Sequence, residues 1–145
     1  MFAKEMDWLL ILPAISIGFL SVAVLNLNNM RDEESDRKSN KNTIVVKIGA
    51  SKAKVYHYFL IITAMIFILE FSYFKDFTFD QYLYVIAFFP LLKHLKTVYN
   101  NKNPKELDPE LKKVALSTFA LSVLLSLSMI YFFQDLFVNL FLGGR

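Results

Sequence analysis

Cysteine is absent from this 145-residue chain, so it has neither a disulfide framework nor a thiolate metal site. Histidine is nearly absent. Only His57 and His94 occur, too few for an imidazole metal centre, which leaves oxygen ligands as the means of holding any metal. Charge is scarce as well. Asp, Glu, Lys and Arg make up 20% of the residues, where a soluble domain carries about 25%, and they are gathered into short stretches between long uncharged runs. With 55% hydrophobic residues and a mean hydropathy of +0.40, the composition excludes disorder and describes an integral membrane protein. Neither an internal repeat nor a low-complexity tract is present. In such a chain a net charge of +3 reports membrane topology, and no nucleic-acid partner is expected.

Four apolar segments are present. Residues 8–30 contain no charge and are long enough for a hydrocarbon core that takes about 20 helical residues. Residues 55–74 form the second span, interrupted only by Glu70 near its far end, where the acid reaches water. The third, residues 77–97, crosses only if Lys93 and Lys96 extend toward the interface, and Pro90 inside it predicts a kink. Residues 114–134 form the fourth, whose Ser117, Ser122, Ser126 and Ser128 suit close helix packing in lipid. At these lengths only helices satisfy their backbone in a bilayer. The expected fold is therefore an all-α polytopic membrane bundle of four transmembrane helices.

Basic residues set the orientation. Seven lie between Arg31 and Lys54 and six between Lys93 and Lys113, leaving only Lys4, Lys75 and Arg145 elsewhere. The asymmetry places both long loops in the cytoplasm and both chain ends on the outer side of the plasma (inner) membrane.

The loop after the first span carries the chemistry. If the helix continues past Arg31, Asp32 and Asp36 share a face one turn apart, near enough to approach one ion. Like charges at that spacing repel unless a cation lies between them, and hard oxygen ligands suit Mg²⁺ shared with substrate phosphates. Arg31, Arg37, Lys38 and Lys41 suit the remaining oxygens of a polyanion such as a diphosphate, and Asn26 and Asn29 add amides on the preceding turns. The same spacing is equally compatible with a solvated loop bearing two incidental acids. His57 reads either as a base for a hydroxyl or as a polar interface anchor, and the charged stretch 102–113 as a solvated loop or a lid. Clustered aromatics, Phe71, Tyr73 and Phe74 with Tyr82, Tyr84, Phe88 and Phe89, suit a lipid-facing belt or the wall of an apolar tunnel.

Asn26-Leu-Asn-Asn-Met-Arg-Asp32-x-x-x-Asp36, followed by Asn40-Lys-Asn-Thr-Ile-Val-Val-Lys-Ile-Gly49, resembles the second aspartate-rich motif, here residues 26–43, of UbiA-type intramembrane prenyltransferases. It is most similar to the branch that prenylates 1,4-dihydroxy-2-naphthoate in menaquinone synthesis. The stretch Asn103-Pro-Lys-Glu-Leu-Asp-Pro-x-Leu-Lys112 is similar to that branch too. Asn40 replaces the usual Gly of the pattern, a mild change because Asn also tolerates a left-handed backbone.

The resemblance implies that residues 1–145 are part of a UbiA-type domain, the C-terminal half of a nine-helix fold, because no partner motif Asn-x-x-x-Asp-x-x-x-Asp precedes Trp8. It implies Mg²⁺ held by Asp32 and Asp36, with Arg31, Arg37, Lys41, Asn26 and Asn29 on the diphosphate of a polyprenyl donor. The metal promotes departure of diphosphate, dihydroxynaphthoate attacks the allylic cation, and its carboxylate leaves as CO₂ to give demethylmenaquinone. An isolated half is expected to be inactive, its partners being the two substrates, the lipid bilayer and the missing N-terminal half. The alternative is a non-catalytic four-span subunit or remnant that associates with other helices. The Asp-Gly and Ala-Arg pattern of CDP-alcohol phosphotransferases is missing, and a metal transporter is disfavoured because no acid falls mid-span.

Overall fold

The computed structural model describes residues 7–141, with side chains described through residue 130. The chain ends with Lys4 and Arg145, expected on the outer side, lie outside the described residues. Five α-helices follow in order: α1 Ile11–Lys38, α2 Ile44–Ile48, α3 Ala50–Phe74, α4 Phe88–Asn100 and α5 Asp108–Phe141, with 3-10 segments at Trp8–Leu10, Phe79–Ala87 and Pro104–Leu107. No strand occurs among the described residues. Among the described residues, three helical stretches are long and apolar enough to cross a membrane: Trp8–Lys38, Ala50–Phe74 and Pro104–Ile130.

The expected third span takes a different form. Residues 79–87 wind as a 3-10 segment and α4 starts at Phe88. Thr78 begins the segment by donating its N–H to Gln81 Oε1 at 2.8 Å. Pro90 has no N–H to give to the Ile86 carbonyl, and the Phe88 N–H faces the carbonyls of Val85 and Ile86. The proline thus sits in the first turn of α4, where a missing donor costs nothing. Lys93 and Lys96 are exposed on α4.

Helix α1 packs along α3. Its buried residues Ser16, Leu20, Ala23, Leu27 and Met30 recur every three or four positions, the helical period of a single stripe. They meet Ala53, Leu60, Ile61, Ala64 and Ile68 on α3. Alanines on both faces let the two backbones approach, and Ser16 Oγ donates to the Ala64 carbonyl at 2.6 Å, as suits helices that gain little from apolar burial in lipid. Val55, Phe59, Ile62 and Ile66 lie exposed on the opposite side of α3, suited to lipid.

Two ties fix the ends. Asp7 accepts from the Leu9 N–H at 3.1 Å and pairs with Lys75, which joins the start of the first helical stretch to the end of α3. At the other end, Lys54 Nζ donates to the carbonyls of Asn101 at 2.6 Å and Tyr99 at 3.3 Å, capping α4.

Turn chemistry shapes the loop after α1. Asn40 adopts φ 55°, the left-handed conformation expected where the motif tolerates Gly or Asn. Thr43 Oγ1 then caps α2 by accepting from the Val46 N–H at 3.2 Å. Gly49 joins α2 to α3 at φ 80°, ψ 160°, a region open essentially to glycine alone. A Cβ there would meet nothing within 4 Å, so backbone conformation and not space demands glycine. Gly49→Ala is expected to cost about 1–3 kcal/mol, seen as a lower thermal denaturation midpoint in detergent.

Candidate functional site

The last turns of α1 run beyond the apolar stretch and meet the segment Pro104–Leu107 and the start of α5. Between them lies a cleft of about 880 Å³, walled by Arg31, Asp32, Lys38, Asn103, Lys105 and Asp108 among others. Arg31 organises it. Its Nε and Nη2 donate to the two carboxylate oxygens of Asp32, each at 2.8 Å, while Nη1 reaches Asp108 Oδ1 at 2.7 Å. Nη2 also donates to Asn28 Oδ1 at 2.9 Å. One guanidinium therefore joins two helices through charge-assisted hydrogen bonds, a geometry that lysine cannot copy.

Asp36 lies one turn further along α1 and is buried. Its Oδ1 accepts from Lys41 Nζ at 3.1 Å, and its carbonyl accepts from the Lys41 N–H at 2.9 Å. Its Oδ2 is buried without a hydrogen-bond partner. A buried carboxylate oxygen left open is costly to maintain and is the kind of atom a hard cation satisfies. The two aspartates share the α1 face but have different partners, Arg31 for one and Lys41 for the other.

The remaining candidates are more dispersed. Arg37 pairs with Glu33 at 2.8 Å and Lys38 with Glu34 at 2.6 Å, both as exposed pairs four residues apart along the helix. Asn26 is buried between helices, donating to the Ala53 carbonyl at 3.1 Å and approaching Met30 Sδ at 3.4 Å. Asn29 is half-buried on the same stretch. No group of three or more His, Asp or Glu able to hold a metal occurs among the described residues. Of the site residues expected from the sequence, Arg31 and Asp32 wall the cleft and Asp36, Arg37, Lys41, Asn26 and Asn29 do not. The carboxylate of Asp32 is a hard oxygen donor that suits Mg²⁺ sharing its shell with water and phosphate.

Two features escaped sequence reasoning. Asp108 faces Arg31 from 77 residues away. His57 is fully buried inside the bundle, with its Nε2 2.8 Å from Nε2 of His94, whose Nδ1 lies 2.7 Å from Glu110 Oε2. Glu110 also pairs with Lys113. The only sequence signal was that both histidines fall inside apolar segments, where ionisable groups are expensive.

A family model described as the UbiA prenyltransferase family matches residues 1–111. The chain belongs to that family. Curated relatives of this UbiA chain include two proteins named 1,4-dihydroxy-2-naphthoate octaprenyltransferase. That of Haemophilus influenzae is 40% identical over 126 residues, covering 87% of this chain and 41% of the relative. That of Escherichia coli is 37% identical over 118 residues, covering 79% and 38%. The UbiA chain thus spans about two fifths of the length of these relatives. No solved structure matches it.

Proposed function

We propose that this UbiA-family chain supplies one half of the active site of a Mg²⁺-dependent enzyme that transfers a polyprenyl group from polyprenyl diphosphate to 1,4-dihydroxy-2-naphthoate. The product is demethylmenaquinone, on the route to menaquinone. The observation that carries this reading is the cleft at the polar end of α1, where Arg31, Lys38 and Lys105 stand beside Asp32. A diphosphate needs that combination, cations for its own oxygens and a carboxylate for its metal. The names of the two relatives supply the acceptor.

In this reading Asp32 and Asp36 hold the metal, and bound Mg²⁺ acts as a Lewis acid on the charge that develops on the departing diphosphate. Arg31 lends its charge to the diphosphate from beside Asp32 while Asp108 holds its guanidinium in place. Lys41 and Arg37 contribute charge at the rim, and Asn26 and Asn29 hold the helix face on which the aspartates stand. The prenyl chain stays among the exposed apolar faces of the bundle, and the N-terminal half of the fold provides the opposing aspartate motif. The 3-10 segment and α4 together make a fourth crossing within a nine-helix whole, so both loops rich in lysine and arginine face the cytoplasm of a cell bounded by its inner membrane.

The test is prenylation of dihydroxynaphthoate by this chain co-assembled with the N-terminal half of a relative. Transfer that requires both halves and Mg²⁺ is expected; folded assemblies without transfer overturn the reading. For topology, a single cysteine introduced at the exposed Ser39 is expected to react with an impermeant thiol reagent only from the cytoplasmic side. Labelling from outside intact cells contradicts the orientation.

A further inference from the structure

A deeply buried polar cluster lies outside the cleft. His57 on α3 is 0% exposed, His94 on α4 is 1% exposed and Glu110 on α5 is 2% exposed, yet the three form one continuous chain. Nε2 of His57 lies 2.8 Å from Nε2 of His94, and Nδ1 of His94 lies 2.7 Å from Glu110 Oε2. The other oxygen of Glu110 pairs with Lys113, whose side chain is half exposed, so the chain runs from the interior to the polar rim. Each contact requires one proton between its two heavy atoms. Both nitrogens of His94 and both carboxylate oxygens of Glu110 have partners, as does Nε2 of His57, while Nδ1 of His57 is buried without a hydrogen bond.

Glu110 occupies the first turn of α5 together with Asp108, the residue that holds Arg31 from across the cleft. The helix end that carries Asp108 is therefore anchored two residues further on, through His94, to α4 and α3. The start of α5 is held as well by the buried Leu107 and Val114, and of its polar ties the one through Glu110 is buried whereas the one through Asp108 is 69% exposed.

We propose that His57, His94 and Glu110 are positioning residues for the cleft: their buried hydrogen-bonded chain seats the first turn of α5 so that Asp108 holds the Arg31 guanidinium, with Asp32 on its fork, in place in the cleft wall. The proposal rests on the functional reading above, in that it gives the held guanidinium its purpose. It assigns no contact between the histidines and substrate.

The experiment uses this chain co-assembled in lipid nanodiscs with a cysteine-free N-terminal half of a relative. Because this chain has no cysteine, spin labels at Ser39→Cys and Lys105→Cys report the width of the cleft without background. One narrow distance distribution is expected with the histidines intact. His57→Leu removes the hydrogen bond and keeps a bulky side chain. It is expected to broaden the distribution and, in the unlabelled assembly, to raise KM for the polyprenyl diphosphate at least fivefold, with kcat within threefold. His57→Gln retains an amide at the position of Nε2, able to donate or accept. It is expected to restore the narrow distribution and bring KM within twofold of the original.

His57→Leu without effect on either readout overturns the proposal, as does His57→Gln behaving like His57→Leu, since side-chain volume alone would then matter. Should His57→Leu fail to assemble, ¹⁵N NMR of the unmutated chain decides, because its two histidines are the only imidazoles carrying label. Coupling between the two Nε2 atoms across a shared proton is expected, and its absence refutes the chain. Asp32→Asn separates this inference from the functional one. Lost transfer there with unchanged values in His57→Leu defeats positioning alone, while a broadened cleft in His57→Leu with full transfer in Asp32→Asn defeats the functional reading alone.

Discussion

Asp32→Asn and Asp36→Asn are each expected to lower Mg²⁺-dependent prenyl transfer at least tenfold in the two-half assembly, with little loss of thermal stability. The reasons differ between the two positions. Asp32 is about one third exposed and salt-bridged to Arg31, and exposed pairs of this kind contribute about 0–1 kcal/mol, so the fold does not depend on its charge. In the proposed reading its value lies in being an ionised oxygen ligand within the cleft, and an amide is a far poorer ligand for a hard cation. Asp36 is buried with one oxygen bonded to Lys41 and the other bonded to nothing. A purely structural carboxylate at that position would have both oxygens satisfied. An asparagine keeps the acceptor for Lys41, so a large loss of activity with a near-normal denaturation midpoint marks the open oxygen as a functional one. Equal losses of activity and stability in Asp36→Asn would assign it to the fold instead.

Arg31→Lys is the second change with a large expected effect. It preserves the positive charge and removes the fork that engages both oxygens of Asp32, Asn28 and Asp108 together. A lysine offers one point charge and reaches one partner at a time. Charge-assisted hydrogen bonds contribute roughly 1.5–3 kcal/mol, so losing one such contact to diphosphate raises KM for the prenyl donor by about tenfold or more. The steady-state KM for the prenyl donor, compared between Arg31→Lys and the parent, is the relevant measurement. An unchanged KM would mean that Arg31 serves only to bind Asp32 and Asp108 to each other.

Much of this architecture is legible in the chain because hydrophobic runs and basic loops are local signals. The stretches beginning at Trp8, Ala50 and Pro104 are long and apolar, and each forms a helix long enough to cross a membrane. The left-handed turn at Asn40 was legible for a similar reason, since few residue types accept that backbone. The segment around Pro90 was less so, because composition alone does not reveal that residues 79–87 wind as a 3-10 segment before α4 begins at Phe88. Within the site, the common face of Asp32 and Asp36 follows from helical period. Their separate partners do not. Arg31 meeting Asp108, and His57 meeting His94 and Glu110, join residues on different helices, and only the packing of α1, α3, α4 and α5 decides those neighbours. Glu110 shows the limit most clearly: within a charged stretch it reads as a loop acid, yet the fold buries it against a histidine.

Binding of a short polyprenyl diphosphate to the two-half assembly in nanodiscs, measured by titration calorimetry with and without Mg²⁺, tests the central claim most directly. Tight binding that requires Mg²⁺ and weakens at least tenfold in both Asp32→Asn and Asp36→Asn is the predicted result. Binding of equal strength in the parent and both variants, or binding indifferent to Mg²⁺, would contradict a diphosphate site built on the end of α1.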